Sequence, residues 1–509
     1  MQKIIIKITA VLLVFIGLSG CEMDYIPADQ VSTELIVNSA DGIINVTNGN
    51  YALFKEGIEF NGIVDDNNCY VRQFFQMSDF SGDDIVCGQK TEDPLYFGFT
   101  YTHSPDQSNA KYFWYVSYKI ITGANTVIET ALGKDNLNTD MKQILGENYF
   151  LRAFAHFNLL RFYAKPYTFG RDNLGIILRK STSESGAKAR SNVGECYDFV
   201  ISDLKKAAAL MSKPRGTQYA SKEAAWALLS RIYLYMEDND NTIAYSDSVI
   251  NSGRFALETK TSFSGMYANA ATHSEPIFIV AFMPEDNRGK FGSIASMIYS
   301  DGNSGWGEEF ASQSYRDILD DNLNDVRWSM IDTLYEDDGK TIAKHMGIEV
   351  FYIKKFSFQE GDPNLSSPIM LRLAEMYLNR AEAYAKNNDE TKALADVNEI
   401  RKHRGLENDT YSSVPAGSTI LDVVLKERRL ELAFEGHRNF DIYRNKQNLY
   451  RDYWGYHIKG LQIGDIDLSK KPSDYQNYDN LEIEYTNPRI IYYIPSDEII
   501  SNNLCEQND

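Results

Sequence analysis

The stretch SPIMLRLAEMYLNRAEAYAKNNDETKALADVNEIRKHRG, residues 367–405, decides the fold of this chain. Leu371, Ala374, Leu378, Ala381 and Ala385 recur at three- and four-residue steps, which places them on one face of an α-helix. Asn387-Asn388-Asp389 breaks the pattern and restarts the chain. Leu394, Val397 and Ile400 then line a second helix, and Gly405 terminates it. The reading is an antiparallel helix pair with a short turn.

Tetratricopeptide-type pairs set an aromatic on the first helix nine residues before a small residue on the second, where close approach is needed. Tyr384 to Ala393 has that spacing, and so does Tyr235 to Ala244. Further stripes point the same way. They are Leu151, Ala155, Leu159 and Phe162; Tyr197, Val200, Ile201, Leu204, Ala208 and Met211; and Ala225, Leu228, Leu229, Ile232 and Tyr235. The expected fold class is therefore mostly α, a tetratricopeptide-like helix-pair scaffold with long inserted loops and a few short strands. The scaffold is expected over about 32–60, 108–255 and 367–445. Regions 61–107 and 256–366 are rich in Gly, Asp, Asn and aromatics, with β-like runs such as Pro276-Ile277-Phe278-Ile279-Val280, and read as ligand-facing loops. Residues 446–509 read as an irregular C-terminal segment of the same single domain, 21–509.

The N-terminus carries an address. Lys3 and Lys7 precede an apolar core, Ile8 to Ile16, that is too short to span a bilayer, where about 20 residues are needed. Leu18-Ser19-Gly20-Cys21 follows and resembles the lipobox of bacterial lipoproteins. Residues 1–20 are accordingly expected to be a lipoprotein signal peptide, and Cys21 the lipidated residue that anchors the protein to a membrane. The other cysteines, Cys69, Cys87, Cys196 and Cys505, allow three pairings; Cys69 and Cys87 are close enough to staple a loop, and free buried thiols fit as well.

Composition excludes some functions. The chain has 51 Lys and Arg against 71 Asp and Glu, a net charge of −20, which repels nucleic acid. No Cys/His cluster has metal-ligand spacing, no cofactor is implied, and no nucleophile or phosphate-loop motif stands in a supporting context. Glu427, Glu431, Glu435, Arg428 and Arg438 sit at helical spacings, which reads as a buried Glu–Arg network rather than catalysis. The chain reads as non-enzymatic. Sugar capture needs aromatic faces for pyranose rings, with amides and carboxylates for hydroxyls. Two loop clusters offer that mixture. One holds Asp83, Tyr96, Phe97 and Tyr101, near Asp79, Asp84, Gln89, Phe99 and His103; the other holds Tyr299, Asp301, Asn303 and Trp306, the last flanked by Gly305 and Gly307.

The helical blocks also resemble a known family. Leu371 to Ala383, Val397-Asn398-Glu399-Ile400-Arg401 with Arg404-Gly405, and Glu427 to Arg438 followed by Asp441 and Arg444 are similar to signature segments of the SusD/RagB family. Arg152-Ala153 with Lys165-Pro166-Tyr167 resembles its earlier segment, with Lys165 in place of the usual Gly. Ile494-Pro495-Ser496-Asp497-Glu498-Ile499 resembles its ending, while the Trp usual after the last block is Asn445 here. The resemblance implies a cell-surface, outer-membrane lipoprotein that binds oligosaccharide and delivers it to a SusC-like TonB-dependent transporter. Glu22 and Asp24 resemble the export signal of such lipoproteins. The alternatives it leaves are a peptide-binding member and a mainly structural lid of the transporter.

Overall fold

The computed structural model describes residues 40–65, 67–90, 94–475, 477–478 and 481–509. The expected leader and the lipidated Cys21 lie outside the described residues. The longer helices are α1 (Ala40–Ala52), α2 (Tyr70–Asp79), α3 (Ser108–Leu132), α4 (Thr139–Tyr163), α5 (Val193–Leu210), α6 (Lys222–Met236), α7 (Asn239–Ile250), α8 (Leu373–Lys386), α9 (Glu390–His403) and α10 (Ile420–Leu432). Neighbours pack in chain order, α3 on α4, α4 on α5, α5 on α6 and α6 on α7. The second run, α8, α9 and α10, continues the stack because α7 lies against α8. Among the described residues, no helix is long and apolar enough to cross a membrane.

Local chemistry explains the punctuation. At the α6–α7 and α8–α9 turns one residue takes the left-handed conformation, Glu237 (φ 60°) and Asn388 (φ 60°). The next residue is an Asp that caps the new helix: Asp238 accepts from Asn241 N–H and Asp389 from Lys392 N–H. Gly405, at φ 80°, ends α9, and Leu406 N–H closes back on Arg401 C=O at 3.0 Å. Ala393 is fully buried at the α8–α9 contact, with Tyr384 packed against the same cluster.

Three expectations are corrected. Ala244 is exposed, and the small residue at the α6–α7 crossing is Ser246, whose hydroxyl lies 2.8 Å from that of Ser230. Leu371 lies in a strand, Ile369–Arg372, which pairs antiparallel with Pro276–Ile279, so α8 begins only at Leu373. Pairing with a segment about ninety residues away overrides the local helical spacing there. The region 61–107 is not all loop, because every residue of α2 is buried, and Pro94–Thr100 forms another short helix.

The region 256–366 holds short helices and strands. Ile331–Thr333 pairs with Phe351–Ile353, and Glu309–Ala311 pairs with Ile85–Cys87, stitching the second loop region to the first. One hydrophobic cluster runs from Phe54 to Cys505 and takes in α2 to α6, α8 and both loop regions. Cys69, Cys87, Cys196 and Cys505 are free, buried thiols.

Beneath the loops lies a Glu–Arg network built on Glu427, Glu431 and Glu435 as expected. Arg428 and Arg438 stand outside it, Arg428 on Asp441 and Arg438 on Asp83, because cations from distant segments reach the glutamates first. Arg327, Lys355, Arg372, Arg401 and Arg404 meet Glu275, Asp325, Glu427, Glu431 and Glu435. Arg372 donates to Glu275, Glu431 and Glu435 at 2.6 to 2.9 Å. A buried charge without a partner is costly, so these residues occur as a set. They bind α9 and α10 to the strand that leads into α8 and to loops 256–366.

Candidate functional site

Two clefts of similar size open on the surface, and hydrogen bonding separates them. The first, about 420 Å³, runs along α3 past Phe60, Trp114, Tyr115 and Tyr118. Its buried polar groups are engaged, as three show: Trp114 Nε1 donates to Glu498 at 3.2 Å, Tyr118 Oη to Ile177 C=O at 2.8 Å, and Lys111 pairs with Asp497 at 2.9 Å.

The second, about 410 Å³, lies between α2, the start of α3 and the segment 291–308. Its floor is α2. Gln73 and Gln76 stand one turn apart and are both 2% exposed, yet Gln73 Oε1 and both polar atoms of the Gln76 carboxamide have no protein partner. Buried polar atoms are nearly always paired, and native exceptions call for a ligand or another explanation. Asn67, Asn68, Gln89 and Asn109 add four more carboxamides to the lining.

The wall is aromatic. Trp306 (48% exposed) and Phe291 (54% exposed) lie with ring centroids 5.1 Å apart. Gly305 and Gly307 hold the indole out, at φ 74° and 66°. A Cβ on Gly305 would lie 1.9 Å from Tyr299 C=O, and one on Gly307 2.6 Å from Ser300 Cβ, so glycine is required at both. Ser296 joins wall to floor. Its carbonyl accepts the N–H groups of Trp306 and Gly307, at 2.5 and 2.9 Å, while its hydroxyl meets Arg72 Nη2 of α2 at 3.4 Å. Glu308 accepts the indole N–H of Trp306.

Of the sequence candidates, Trp306 lines this cleft, and so does Gln89 from the first loop cluster. Asp301 and Asn303 sit on an exposed turn beyond it, where Asp301 Oδ1 accepts the N–H groups of Asn303 and Ser304 at 2.9 and 2.6 Å. Those backbone donors lower the Asp301 carboxyl from its ordinary value. Tyr299 is buried against Tyr352 and Phe358. Tyr96 and Phe97 are half-buried and touch each other, while their helix lends Pro94 and Leu95 to the lining. Tyr101 is internal, its hydroxyl 2.7 Å from Ser81 C=O and 2.6 Å from the Tyr443 hydroxyl. Asp83 is also internal. Burial alone would raise its carboxyl, but Arg429 and Arg438 outweigh that and lower it to about 2. These buried residues serve packing and charge balance.

Phe291, Gln73, Gln76 and Asn68 were not found from sequence. The available signal was in Tyr70-Val71-Arg72-Gln73-Phe74-Phe75-Gln76, where three large polar side chains interrupt a run otherwise apolar enough to be buried whole. Among the described residues no group of three or more His, Cys, Asp and Glu side chains converges on a metal position.

A helical-repeat scaffold that carries a loop-built, amide-floored cleft defines a binding protein. Comparisons place it more closely. A family model described as "SusD family" matches residues 333–509, and one described as "Starch-binding associating with outer membrane" matches 61–234. SusD-like protein P38 of Formosa agariphila is 25% identical over 489 residues, covering 87% of this chain and 92% of that protein. A SusD superfamily crystal structure from Bacteroides thetaiotaomicron superposes with a TM-score of 0.78 at 26% identity, over 92% of this chain and 99% of that one. A SusD-like carbohydrate binding protein from Bacteroides vulgatus shares the fold with a TM-score of 0.72 at 20% identity, over 91% and 96%. The chain is a SusD-like family protein.

Proposed function

We propose that this protein binds carbohydrate at the outer membrane and does no chemistry on it. One observation carries the reading: an exposed Trp306–Phe291 pair stands beside the buried carboxamides of Gln73, with its oxygen unmet, and Gln76, with both polar atoms unmet, in one cleft. A pyranose presents an apolar face to the rings and hydroxyls to the amides, each hydroxyl both donor and acceptor. The family model described as starch-binding and the carbohydrate-binding structural relative support the ligand class. A glycosidase would need two carboxylates about 5 to 10 Å apart across the ligand. Here Glu308 is committed to the indole, and Asp65 to Asn67 and Asn68.

In the full reading, Cys21 carries the lipid anchor, the protein sits on the cell surface, and bound oligosaccharide passes to a SusC-type TonB-dependent transporter. The anchor and the partner rest on the lipobox-like Leu18–Cys21 and the family resemblance. Calorimetry on the soluble form starting after Cys21, with a panel of oligosaccharides and peptides, tests the ligand class. Binding of peptides alone, or of nothing, refutes it. Trp306→Ala is expected to weaken glycan binding by about 1 to 3 kcal/mol, taking aromatic stacking on nucleobases as the guide.

A further inference from the structure

The cleft floor has a fixed hydrogen-bond polarity. Asp65 is acceptor only: Oδ1 accepts Asn67 N–H at 2.9 Å and Oδ2 accepts from Asn68 Nδ2 at 2.7 Å. With its nitrogen committed there, Asn68 turns Oδ1 to Gln73, whose Nε2 donates to it. Gln73 Oε1 is thereby left as an open acceptor. One turn along α2, Gln76 adds one open acceptor and one open donor group. Two of the three open positions therefore need a hydrogen from the ligand.

The charges lean the same way. Among the described residues, the charged side chains lining the cleft are Asp65, Arg72 and Glu308, in a protein of net charge −20. Arg72 spends Nη1 on Asn67 C=O and Nη2 on the Ser296 hydroxyl.

We propose, resting on the carbohydrate reading above, that the Asp65–Asn68–Gln73 relay together with Gln76 selects uncharged, hydroxyl-rich oligosaccharides and rejects those with carboxylate, sulfate or phosphate groups on the contacting sugar. A hydroxyl gives its proton to Gln73 Oε1, and two adjacent ring hydroxyls span the Gln76 carboxamide, one donating to Oε1 and one accepting from Nε2. An oxyanion has no proton to give. It leaves both glutamine oxygens desolvated and unpaired, and it meets the carboxylates of Asp65 and Glu308.

The test is calorimetry on the full chain in detergent with matched pairs: a neutral oligosaccharide and the same oligosaccharide carrying a uronate or a sulfate. The neutral member is expected to bind about tenfold tighter or more, the order set by leaving one buried acceptor unpaired. Asp65 is exposed, so Asp65→Asn leaves the fold intact. It frees the Asn68 and Gln73 amides to turn over, and the preference is expected to narrow about three- to tenfold, with the narrowing persisting at high salt where charge repulsion is screened. Gln73→Met keeps the buried shape, removes the acceptor, and is expected to lower neutral affinity about three- to tenfold. Equal or tighter binding of the charged member, an Asp65→Asn ratio equal to wild type, or a preference that vanishes at high salt overturns the relay and leaves carbohydrate binding standing. No binding by any glycan overturns both.

Discussion

Glu431→Gln probes the buried charge network with one isosteric change. Glu431 is fully buried. Its Oε1 accepts from Arg372 Nη1 at 2.6 Å and from Arg404 Nη2 and Nε at 2.7 and 3.1 Å, and its Oε2 from Arg404 Nε at 3.0 Å and Arg327 Nη1 at 3.3 Å. Glutamine keeps the first set by placing its oxygen there, but sets an NH2 against the two donors of the second. Two charge-assisted contacts are lost at about 1.5 to 3 kcal/mol each. The network also gains one unneutralised positive charge away from water. Together these give a loss of at least about 3 kcal/mol, in line with the ~3 to 5 kcal/mol for breaking a buried pair by removing one partner. Urea unfolding followed by circular dichroism reads this as a lower midpoint. Arg404→Met in the same chain restores the charge balance, so the double variant is expected to be more stable than the sum of the singles by about 1 to 3 kcal/mol. A Glu431→Gln loss below about 1 kcal/mol, or strict additivity, refutes the reasoning that these charges act as a set.

Other outcomes follow from single features. Gly305→Ala, with φ 74° and Tyr299 C=O in the way of a Cβ, is expected to displace the Trp306 turn, to weaken glycan binding and to lower the unfolding midpoint, read by calorimetry beside circular dichroism. Stability is expected to fall with acid. Against the pull of burial, Arg429 and Arg438 bring Asp83 down to about 2, and Arg404 and Arg372 hold Glu431 well below the usual carboxylate range. Both folded values lie below the unfolded ones. Their contribution is therefore complete above about pH 4.5 and lost progressively as pH falls toward 2; a denaturation midpoint unchanged from pH 5 to pH 2.5 contradicts this. Burial raises the thiols of Cys69, Cys87 and Cys196, so alkylation at neutral pH is expected to spare them in the folded protein and label them after unfolding, read by mass.

Local periodicity made the scaffold legible. Leu378, Ala381 and Ala385 face inward because a helix repeats every 3.6 residues, a property of neighbours in sequence. The glutamates of the Glu427–Arg438 block were legible for a similar reason, since charges at helical spacing beside apolar residues must find partners, but the partners themselves, Arg327, Arg372 and Arg404, come from elsewhere in the chain. Partners drawn from across the chain were not legible. Asp83 reads as a loop carboxylate until Arg438, 355 residues away, is brought against it. Tyr101 reads as a binding aromatic until the Tyr443 hydroxyl meets it. Trp306 was found because its flanking glycines are a local signal. Gln73 and Gln76 mark the apolar run 70–76 in sequence, but their place in a site emerges once α2 is buried whole and its neighbours leave Gln73 Oε1 and the Gln76 amide unmet.

The exposure of Trp306 has an optical consequence. Of the five tryptophans, Trp114 and Trp454 are buried, Trp226 and Trp328 are partly covered, and Trp306 alone is largely open to solvent. Its emission is therefore the red-shifted, water-sensitive part of the spectrum. Any occupant that lies on the ring dries it and moves that component to shorter wavelength, while the four shielded indoles serve as an internal standard. The molecule reports its own occupancy without a label.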